Sequence, residues 1–299
     1  MFPDLPKRVT LIEVGPRDGF QFEKKQIPTD FKIDIIYGLL DAGLRNIQVT
    51  SFVHPDIIPQ MADAEELIRC LPKSQGVIYN GLVLNAKGVE RAGRSGLQWI
   101  EVSISASDTH SRKNSGMSLA QAVDQGKEMV GLAKKHRMHI RASIQCAFGC
   151  FYEGNIPRGR VLKMAQDFIA QGIDTLAISD TTGMADPHSI KNMMGQVMPI
   201  ANGIPVVLHL HDTRGLGLVN VMTAMACGVT HFDTALAGMG GCPFIPEAAG
   251  NIATEDTAYL MKSLNIETGI DISKVASCSL RLEKFFGKRF SGKMCHVQY

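Results

Sequence analysis

The chain has 299 residues, of which 45% are hydrophobic and 20% are charged, and its formal net charge is +2 at pH 7. This composition is typical of a globular protein, and because the positive charges form no cluster it argues against a nucleic-acid-binding surface. No long apolar segment and no transit-like segment opens the chain, so we expect a cytoplasmic protein without membrane contact. The seven cysteines are scattered and odd in number, which predicts reduced thiols rather than a disulfide framework.

Eight short runs rich in apolar and β-branched residues predict strands, and stretches with helical periodicity lie between them. The runs cover residues 9–15, 46–52, 77–84, 99–107, 139–149, 175–183, 205–213 and 231–238. Strands that alternate with helices form parallel sheets with right-handed crossovers. Eight such units in fewer than 300 residues predict a closed (β/α)8 barrel.

The alternative fold is an open, doubly wound sheet. That fold would need a glycine-rich phosphate-binding turn after the first strand, and residues 13–21, EVGPRDGFQ, lack its spacing. We therefore predict one catalytic domain over residues 1–299. The barrel occupies about residues 8–264, and a C-terminal helical extension covers about residues 265–299.

Two histidines, His209 and His211, lie two residues apart at the end of the seventh predicted strand. Residues at this spacing face the same side only when the backbone is extended, so both imidazoles are expected to point to one place. Arg17 and Asp18 lie at the end of the first predicted strand, and Asn251 follows the eighth. Closure of the barrel makes strands seven, eight and one neighbours, so Asp18, Asn251 and the two histidines can converge at the catalytic end of the barrel. One carboxylate, two imidazoles and one amide oxygen suit Mg²⁺ or Mn²⁺ better than zinc.

Each of these residues also has an ordinary explanation when it is taken alone. Asp18 in PRDG is a typical turn residue, and Asn251 is a plausible N-cap for the helix predicted after it. Cys242, which lies beyond the eighth strand, is more typical of a buried thiol than of a catalytic one. The joint placement of the residues at neighbouring strand ends is what favours the metal site.

Five segments of the chain together form a pattern of motifs. They are EVGPRDGFQFEKK, TSFVHPDIIPQMADAEEL, CAFGCFYEG, HLHDTRG and GMGGCPFIPEAAGNIATED. The pattern resembles the 3-hydroxy-3-methylglutaryl-CoA lyase family, which belongs to a group of metal-dependent barrels that also includes isopropylmalate, homocitrate and citramalate synthases. The resemblance extends from about residue 8 to about residue 280, and GGCP followed by GNIATED is its most specific part.

This resemblance implies a (β/α)8 barrel that holds one divalent cation, Mg²⁺ or Mn²⁺, through the same four residues. It also implies three catalytic residues, namely Arg17, Asp180 and Cys242, the last on a mobile glycine-rich loop. The implied reaction is a retro-Claisen cleavage of a 3-hydroxyacyl-CoA into a ketone or keto acid and acetyl-CoA. A homodimer is the assembly that the resemblance implies.

For this reaction we expect Arg17 to stabilise the developing oxyanion and Cys242 to protonate the enolate carbon. The base that removes the hydroxyl proton is either Asp18 or His209. No phosphate-binding loop for CoA is evident, and Lys24 is the candidate for a contact with the cofactor part of the substrate.

Three positions depart from the pattern of the family. Gln48 stands where the lyases have Glu, Phe22 stands where they have Asn, and Arg214 replaces the Tyr of an HDTYG-like motif. We include Gln48 among the catalytic candidates, because its amide N–H groups could bind a substrate oxygen that Glu would repel. These departures predict a preferred substrate other than 3-hydroxy-3-methylglutaryl-CoA.

Other functions remain open at this stage. The chain could cleave citramalyl-CoA or a longer 3-hydroxy-3-alkylglutaryl-CoA. A synthase would run the condensation direction, but we expect no regulatory domain after the barrel, and the GGCP motif is of the lyase type. A catalytically inactive barrel that serves as a binding protein is the alternative from another class.

Overall fold

Eight parallel strands close into a barrel in the order β1 to β8. The computed structural model describes residues 5–241 and 249–297. The strands are β1 Thr10–Glu13, β2 Asn46–Ser51, β3 Ile78–Val83, β4 Trp99–Ser105, β5 His139–Gln145, β6 Thr175–Ser179, β7 Val206–His209 and β8 His231–Thr234. The predicted (β/α)8 barrel is confirmed, and each predicted run contains one strand.

Ten α-helices surround the strands in the part of the chain that the structure describes. They are α1 Thr29–Asp41, α2 Ala64–Cys70, α3 Ala86–Arg94, α4 Asp108–Ser115, α5 Leu119–Lys135, α6 Arg158–Ala170, α7 Pro187–Ala201, α8 Gly217–Ala226, α9 Thr254–Ser263 and α10 Ile272–Phe286. Local signals fix their ends: Ser118 and Gln121 form a capping box at the start of α5, and Gly287 ends α10 in the left-handed conformation. No described helix is both long and apolar enough to cross a membrane.

The apolar core lies between the strands and the helices. Ile100, Val102 and Ile104 of β4 are buried in it, whereas the alternate residues Glu101 and Ser103 line a cavity inside the barrel. This alternation follows from the two-residue period of a strand. The inner surface of the barrel is therefore free to carry polar groups.

Three sequence predictions about the strand ends need correction. Arg17 and Asp18 do not end the first strand, because β1 stops at Glu13 and a π-helical turn follows over Gly15–Gly19. His211 lies beyond β7 and forms an isolated antiparallel bridge with Asn251. Asn251 is not an N-cap, since α9 begins three residues later without a side-chain cap. The extended backbone nevertheless continues to His211, so both imidazoles face inward.

The predicted C-terminal helix is present as α10 and packs beside α1. The rings of Phe31 and Phe285 stack with their centroids 4.4 Å apart, and Lys274 Nζ lies 2.8 Å from Asp41 Oδ2. The extension thus covers the outside of the barrel next to β1. The single catalytic domain over residues 1–299 stays a prediction.

Candidate active site

A cavity of about 150 Å³ opens at the C-terminal end of the barrel. Arg17, Asp18, His209 and His211 line one side of it. They come from the turn after β1 and from the end of β7, which are brought together because β8 pairs with both β1 and β7. This is the end of a (β/α)8 barrel at which catalytic groups are found.

Four side chains form a compact buried group, which we call the mouth cluster: Asp18, His209, His211 and Asn251. The Nε2 atoms of the two imidazoles face each other at 3.1 Å, and His209 Nε2 lies 3.9 Å from Asp18 Oδ2. Asn251 Nδ2 donates a hydrogen bond of 2.6 Å to Asp18 Oδ2. One potential ligand atom from each of Asp18, His209 and His211 lies within 4.8 Å of the others.

The mouth cluster fits a divalent cation. Two of its buried atoms, His211 Nδ1 and Asn251 Oδ1, have no hydrogen-bond partner among the described residues, which is costly in a protein interior. Burial raises the pKa of Asp18, but the charges of Arg17 and the two histidines outweigh it and lower that pKa to about 2. Burial and the neighbouring His209 lower the pKa of His211 to about 3. An ionised carboxylate and a neutral imidazole are the forms that bind a metal.

The guanidinium group of Arg17 is held in place by two side chains. Its Nε donates to Gln48 Oε1 and its Nη1 donates to Asp18 Oδ1. Gln48 Nε2 in turn donates to Asn80 Oδ1 and to Glu101 Oε2, each at 2.8 Å. Both ends of the Gln48 amide are thus engaged inside the barrel, and Gln48 is not among the residues that line the cavity, so its contact with the substrate stays a prediction.

A buried chain of charges below the mouth cluster was not predicted from the sequence. His209 Nδ1 lies 3.0 Å from Asp233 Oδ2, and Arg141 Nη1 donates to Asp233 Oδ1 at 2.9 Å. Arg141 Nε lies 3.0 Å from Glu101 Oε2. Burial lowers the pKa of His209, but the bond to Asp233 and the charge of Asp18 raise it overall. A charged residue inside an otherwise apolar strand, as at Glu101, Arg141 and Asp233, was the signal that could have revealed this chain.

Two further surfaces complete the cavity. The apolar wall comes from β3 and from the loops after β1, β2 and β3, and consists of Phe22, Val53, Ile58, Leu82 and Leu84. The polar wall comes from β4, β5 and β6 and from the loop after β6, and consists of Ser103, Ser143, Gln145, Ser179 and Thr181. Ser143 Oγ and Ser179 Oγ lie 3.2 Å apart. The cavity is therefore divided into a side formed by the mouth cluster and Arg17, an apolar side and a hydrogen-bonding side.

The chain matches the HMGL-like family over residues 8–280. It is 38% identical to the hydroxymethylglutaryl-CoA lyase of Bacillus subtilis over 292 residues, which cover 98% of each chain. A crystal structure of the Bacillus subtilis HMG-CoA lyase superposes with a TM-score of 0.93 at 37% identity and covers 99% of both chains. The chain belongs to the HMGL-like family. A further member, from Acinetobacter baumannii, was solved with coenzyme A and 3-methylmalate; it is 35% identical, has a TM-score of 0.93 and covers 97% of this chain and 95% of its own.

The resemblance predicted from the motifs is therefore confirmed, and the predicted catalytic residues can be located within this family fold. Asp180 does not line the cavity. Its Oδ1 accepts hydrogen bonds from Met184 N and Ala185 N at 2.8 and 3.1 Å, and its backbone N–H bonds to His209 O at 2.8 Å. Burial raises the pKa of Asp180 to about 7. Cys242 lies outside the described residues, although Gly241 beside it lines the cavity.

The remaining predicted positions differ in how close they lie to the cavity. Phe22 lines the cavity as part of the apolar wall and is 43% exposed. Lys24 is exposed and does not line it. Arg214 Nη1 donates to Thr182 O and Gly183 O at 3.0 and 2.6 Å. Arg214 thus fastens the loop after β6, and of the three departures from the family pattern only Phe22 reaches the cavity.

Proposed function

We propose that this chain is a divalent-metal-dependent lyase that cleaves a 3-hydroxyacyl-CoA of the 3-hydroxy-3-methylglutaryl-CoA type. The observation that carries the proposal is the mouth cluster at the catalytic end of the barrel, where two buried atoms have no hydrogen-bond partner in the described part of the chain and Asp18 accepts a bond from Arg17. Membership of the HMGL-like family and the names of the relatives support the same reaction. An inactive barrel that only binds a partner would not need a metal site next to the fixed positive charge of Arg17.

In the proposed enzyme Asp18, His209, His211 and Asn251 hold one divalent cation, Mg²⁺ or Mn²⁺. When bound, the cation supplies Lewis-acid polarisation of the oxygens of the substrate. A carboxylate, two imidazoles and an amide oxygen are hard or intermediate ligands, which suit these two ions. The four residues also fix which sector of the barrel receives the tertiary hydroxyl.

The carbon–carbon cleavage requires a base for the tertiary hydroxyl and a positive charge for the oxyanion that follows. Either Asp18 or His209 would supply the base: Asp18 has a second carboxylate oxygen when one binds the cation, whereas Asp233 orients the His209 ring through Nδ1 and leaves only Nε2 for either role. Once the hydroxyl proton is removed, the C2–C3 bond breaks, the hydroxyl carbon becomes a ketone and the electron pair forms the enolate of acetyl-CoA. The Arg17 guanidinium stabilises the developing oxyanion, an effect worth about 3 kcal/mol by analogy with other oxyanion donors.

The enolate must then receive a proton at its carbon. We assign this step to Cys242, because the adjacent Gly241 lines the cavity and an ordinary thiol is a competent acid near neutral pH. For Asp180 we propose a positioning role, since its contacts reach the loop after β6 and the backbone of His209 rather than the cavity. Lys24 would contact the CoA part outside the cavity.

The two walls of the cavity fit an acyl group with one polar and one apolar arm. The carboxymethyl arm of 3-hydroxy-3-methylglutaryl-CoA would lie on the polar wall, where hydroxyl and amide groups can donate hydrogen bonds to it. The methyl arm would lie on the apolar wall. A relative solved with coenzyme A and 3-methylmalate supports a substrate that joins CoA to a short polar acid.

The test is a product assay by mass spectrometry with added Mg²⁺ or Mn²⁺. The panel contains 3-hydroxy-3-methylglutaryl-CoA, citramalyl-CoA and a longer 3-hydroxy-3-alkylglutaryl-CoA. We expect acetyl-CoA and acetoacetate from the first ester, and loss of both products when the cation is chelated. Failure to cleave any ester would overturn the proposal. A cytoplasmic homodimer is part of the same proposal, and light scattering of the purified chain tests the assembly.

A further inference from the structure

The segment after α10 returns to the barrel and is fastened to the turn that follows β8. Gly292 N donates to Ala237 O at 2.8 Å, and Ser291 Oγ donates to Gly238 O at 3.1 Å. The Asp256 carboxylate accepts bonds from the next two backbone N–H groups, at residues 293 and 294. The same turn leads into Met239, whose carbonyl accepts a hydrogen bond from Asn251 Nδ2. Hydrogen bonds therefore connect the C-terminal segment, through the turn after β8, to Asn251 of the mouth cluster.

A second group of possible metal ligands lies on this segment, and we call it the C-terminal cluster: Glu283, Cys295 and His296. Glu283 belongs to α10, and the other two residues lie in the 3-10 turn Met294–His296. One ligand atom from each residue lies within 4.8 Å of the others. His296 Nε2 is 3.1 Å from Glu283 Oε1, and Cys295 is buried with 5% exposure.

The chemistry of the C-terminal cluster differs from that of the mouth cluster. A thiol, an imidazole and a carboxylate are the donor set of zinc, whereas the mouth cluster has no sulfur among its described members. The surroundings of Cys295 are also negative, because Glu255, Glu283 and Asp256 lie near its thiol. Burial, together with these charges, raises the pKa of Cys295 to about 12. Carboxylates that oppose a thiolate anion favour a cation at the same place.

We propose that Glu283, Cys295 and His296 form a second metal site, which binds Zn²⁺ or a similar transition-metal cation. On binding, the Cys295 thiol loses its proton to solvent and its sulfur forms the bond to the ion, while the imidazole nitrogen and one carboxylate oxygen supply the other protein ligands. Water completes a tetrahedral coordination. The ion joins α10 to the C-terminal turn and so fastens the segment that supports the turn after β8.

Cobalt replaces zinc in such sites and reports sulfur ligation by an intense near-ultraviolet charge-transfer absorption. The experiment uses the full chain carrying His211→Ala, which removes a ligand of the mouth cluster, and titrates it with Co²⁺ alone. We expect about one equivalent of Co²⁺ to bind with the sulfur band. Added Zn²⁺ should displace the cobalt. At a free Zn²⁺ concentration a hundredfold above its Kd, the melting temperature should be about 5 °C higher than that of the metal-free chain.

Four variants in the same background decide the assignment. Cys295→Ser should abolish the sulfur band, and Glu283→Gln should weaken Co²⁺ binding at least about tenfold while it keeps the acceptor for Phe290 N. The matched control is Cys278→Ser, a buried thiol of α10 outside the cluster, which should retain the band. Cys242→Ser should retain it as well.

The proposal fails if the parent chain shows no sulfur band, or if the band survives in Cys295→Ser. Should Cys295→Ser not fold, unchanged Co²⁺ affinity in Glu283→Gln would overturn the proposal by itself. These outcomes do not depend on lyase activity, because every measurement is made on a chain that lacks a complete mouth cluster.

Discussion

The barrel contains two buried polar groups that differ in how completely they are hydrogen-bonded. In the mouth cluster, His211 Nδ1 and Asn251 Oδ1 have no partner among the described residues. The second group, which we call the Glu13 cluster, consists of Glu13, Thr254, Glu255 and Ser279, and all four of its carboxylate oxygens accept hydrogen bonds. Both groups are buried and contain carboxylates, but of the two, within residues 5–241 and 249–297, only the mouth cluster leaves polar atoms without hydrogen-bond partners.

This difference separates a binding role from a structural one. The Glu13 carboxylate accepts bonds from Gly15 N and Leu236 N at 2.7 and 3.0 Å, so it ties the turn after β1 to the turn after β8. The first of these turns carries Arg17 and Asp18, and the second leads to Met239, whose carbonyl accepts a hydrogen bond from Asn251 Nδ2. A saturated group holds the backbone in place, and an unsaturated group beside it is left to bind something else. The following changes test that division of roles.

The largest expected effect comes from His211→Ala. Loss of this imidazole should reduce kcat/KM at least about 100-fold, since even residues that only orient metal ligands contribute 10-fold to 100-fold. The free energy of unfolding of the metal-free chain should change by less than about 1 kcal/mol, because the substitution removes an unsatisfied buried atom. Activity at limiting Mg²⁺ and urea unfolding in the presence of a chelator measure the two quantities. Wild-type turnover in the variant would show that the mouth cluster is not the metal site.

Cys242→Ser should leave the fold intact and reduce turnover by about two orders of magnitude, the effect of a lost general acid. The hydroxyl has a far higher pKa than the thiol and delivers its proton more slowly. Single-turnover cleavage separates this step from binding, which should be little changed. Cys227→Ser, a thiol of the α8–β8 connection, is the control and should keep wild-type kinetics. A near-normal rate in Cys242→Ser would leave the residue without a catalytic role.

Thr254→Val tests the saturated group. The hydroxyl of Thr254 donates to Glu13 Oε2 at 2.7 Å, and its replacement by a methyl group of similar size leaves a buried carboxylate oxygen without a donor. We expect the free energy of unfolding to fall by about 1–3 kcal/mol. Thr223→Val on α8, whose hydroxyl is exposed, should change it by less than about 0.5 kcal/mol. A stable Thr254→Val variant with impaired Mg²⁺ binding would reverse the assigned roles.

Gln48 links Arg17 to Glu101 in the interior of the barrel, and Gln48→Glu tests that link. The new carboxylate would lie beside Glu101 Oε2, which the amide N–H now contacts at 2.8 Å, so like charges would disturb the position of Arg17. We expect kcat/KM to fall about tenfold for every acyl-CoA ester in the panel. A change in the ratio between esters would instead support the contact with substrate that the sequence suggested, and Phe22→Asn provides the comparison because Phe22 lines the cavity.

The sequence was sufficient for the barrel and for the residues of the mouth cluster, because both follow from strand periodicity and from closure of strands seven, eight and one. It was insufficient to predict that Gln48 and Asp180 lie outside the lining of the cavity. Whether a polar side chain at a strand end faces the cavity or its neighbours depends on local backbone geometry, such as the register shift between Gln48 and Thr50 of β2. The pair Arg141 and Asp233 was missed because contacts across a barrel interior join residues that are far apart in sequence.

The smallest expected effect is a change in the pH dependence of stability in Glu13→Gln. Burial raises the pKa of Glu13 from its ordinary 4.5 to about 8. The folded chain therefore binds a proton more tightly than the unfolded chain. The stabilisation by Glu13 is complete below the unfolded pKa of 4.5, and it is lost as the pH rises through the folded pKa.

Glutamine at this position keeps an acceptor for Gly15 N and Leu236 N but cannot ionise. We therefore expect its free energy of unfolding to decline less than that of the wild type between about pH 5 and pH 8, so that the two curves converge or cross as the pH rises. Urea unfolding across this range, with a chelator present, measures the difference. Glu267→Gln changes an exposed carboxylate 3.9 Å from Arg8, and its curve should run parallel to that of the wild type. If Glu13→Gln also runs parallel, Glu13 is ionised in the folded chain, and the Glu13 cluster holds a charge that its hydrogen bonds alone stabilise.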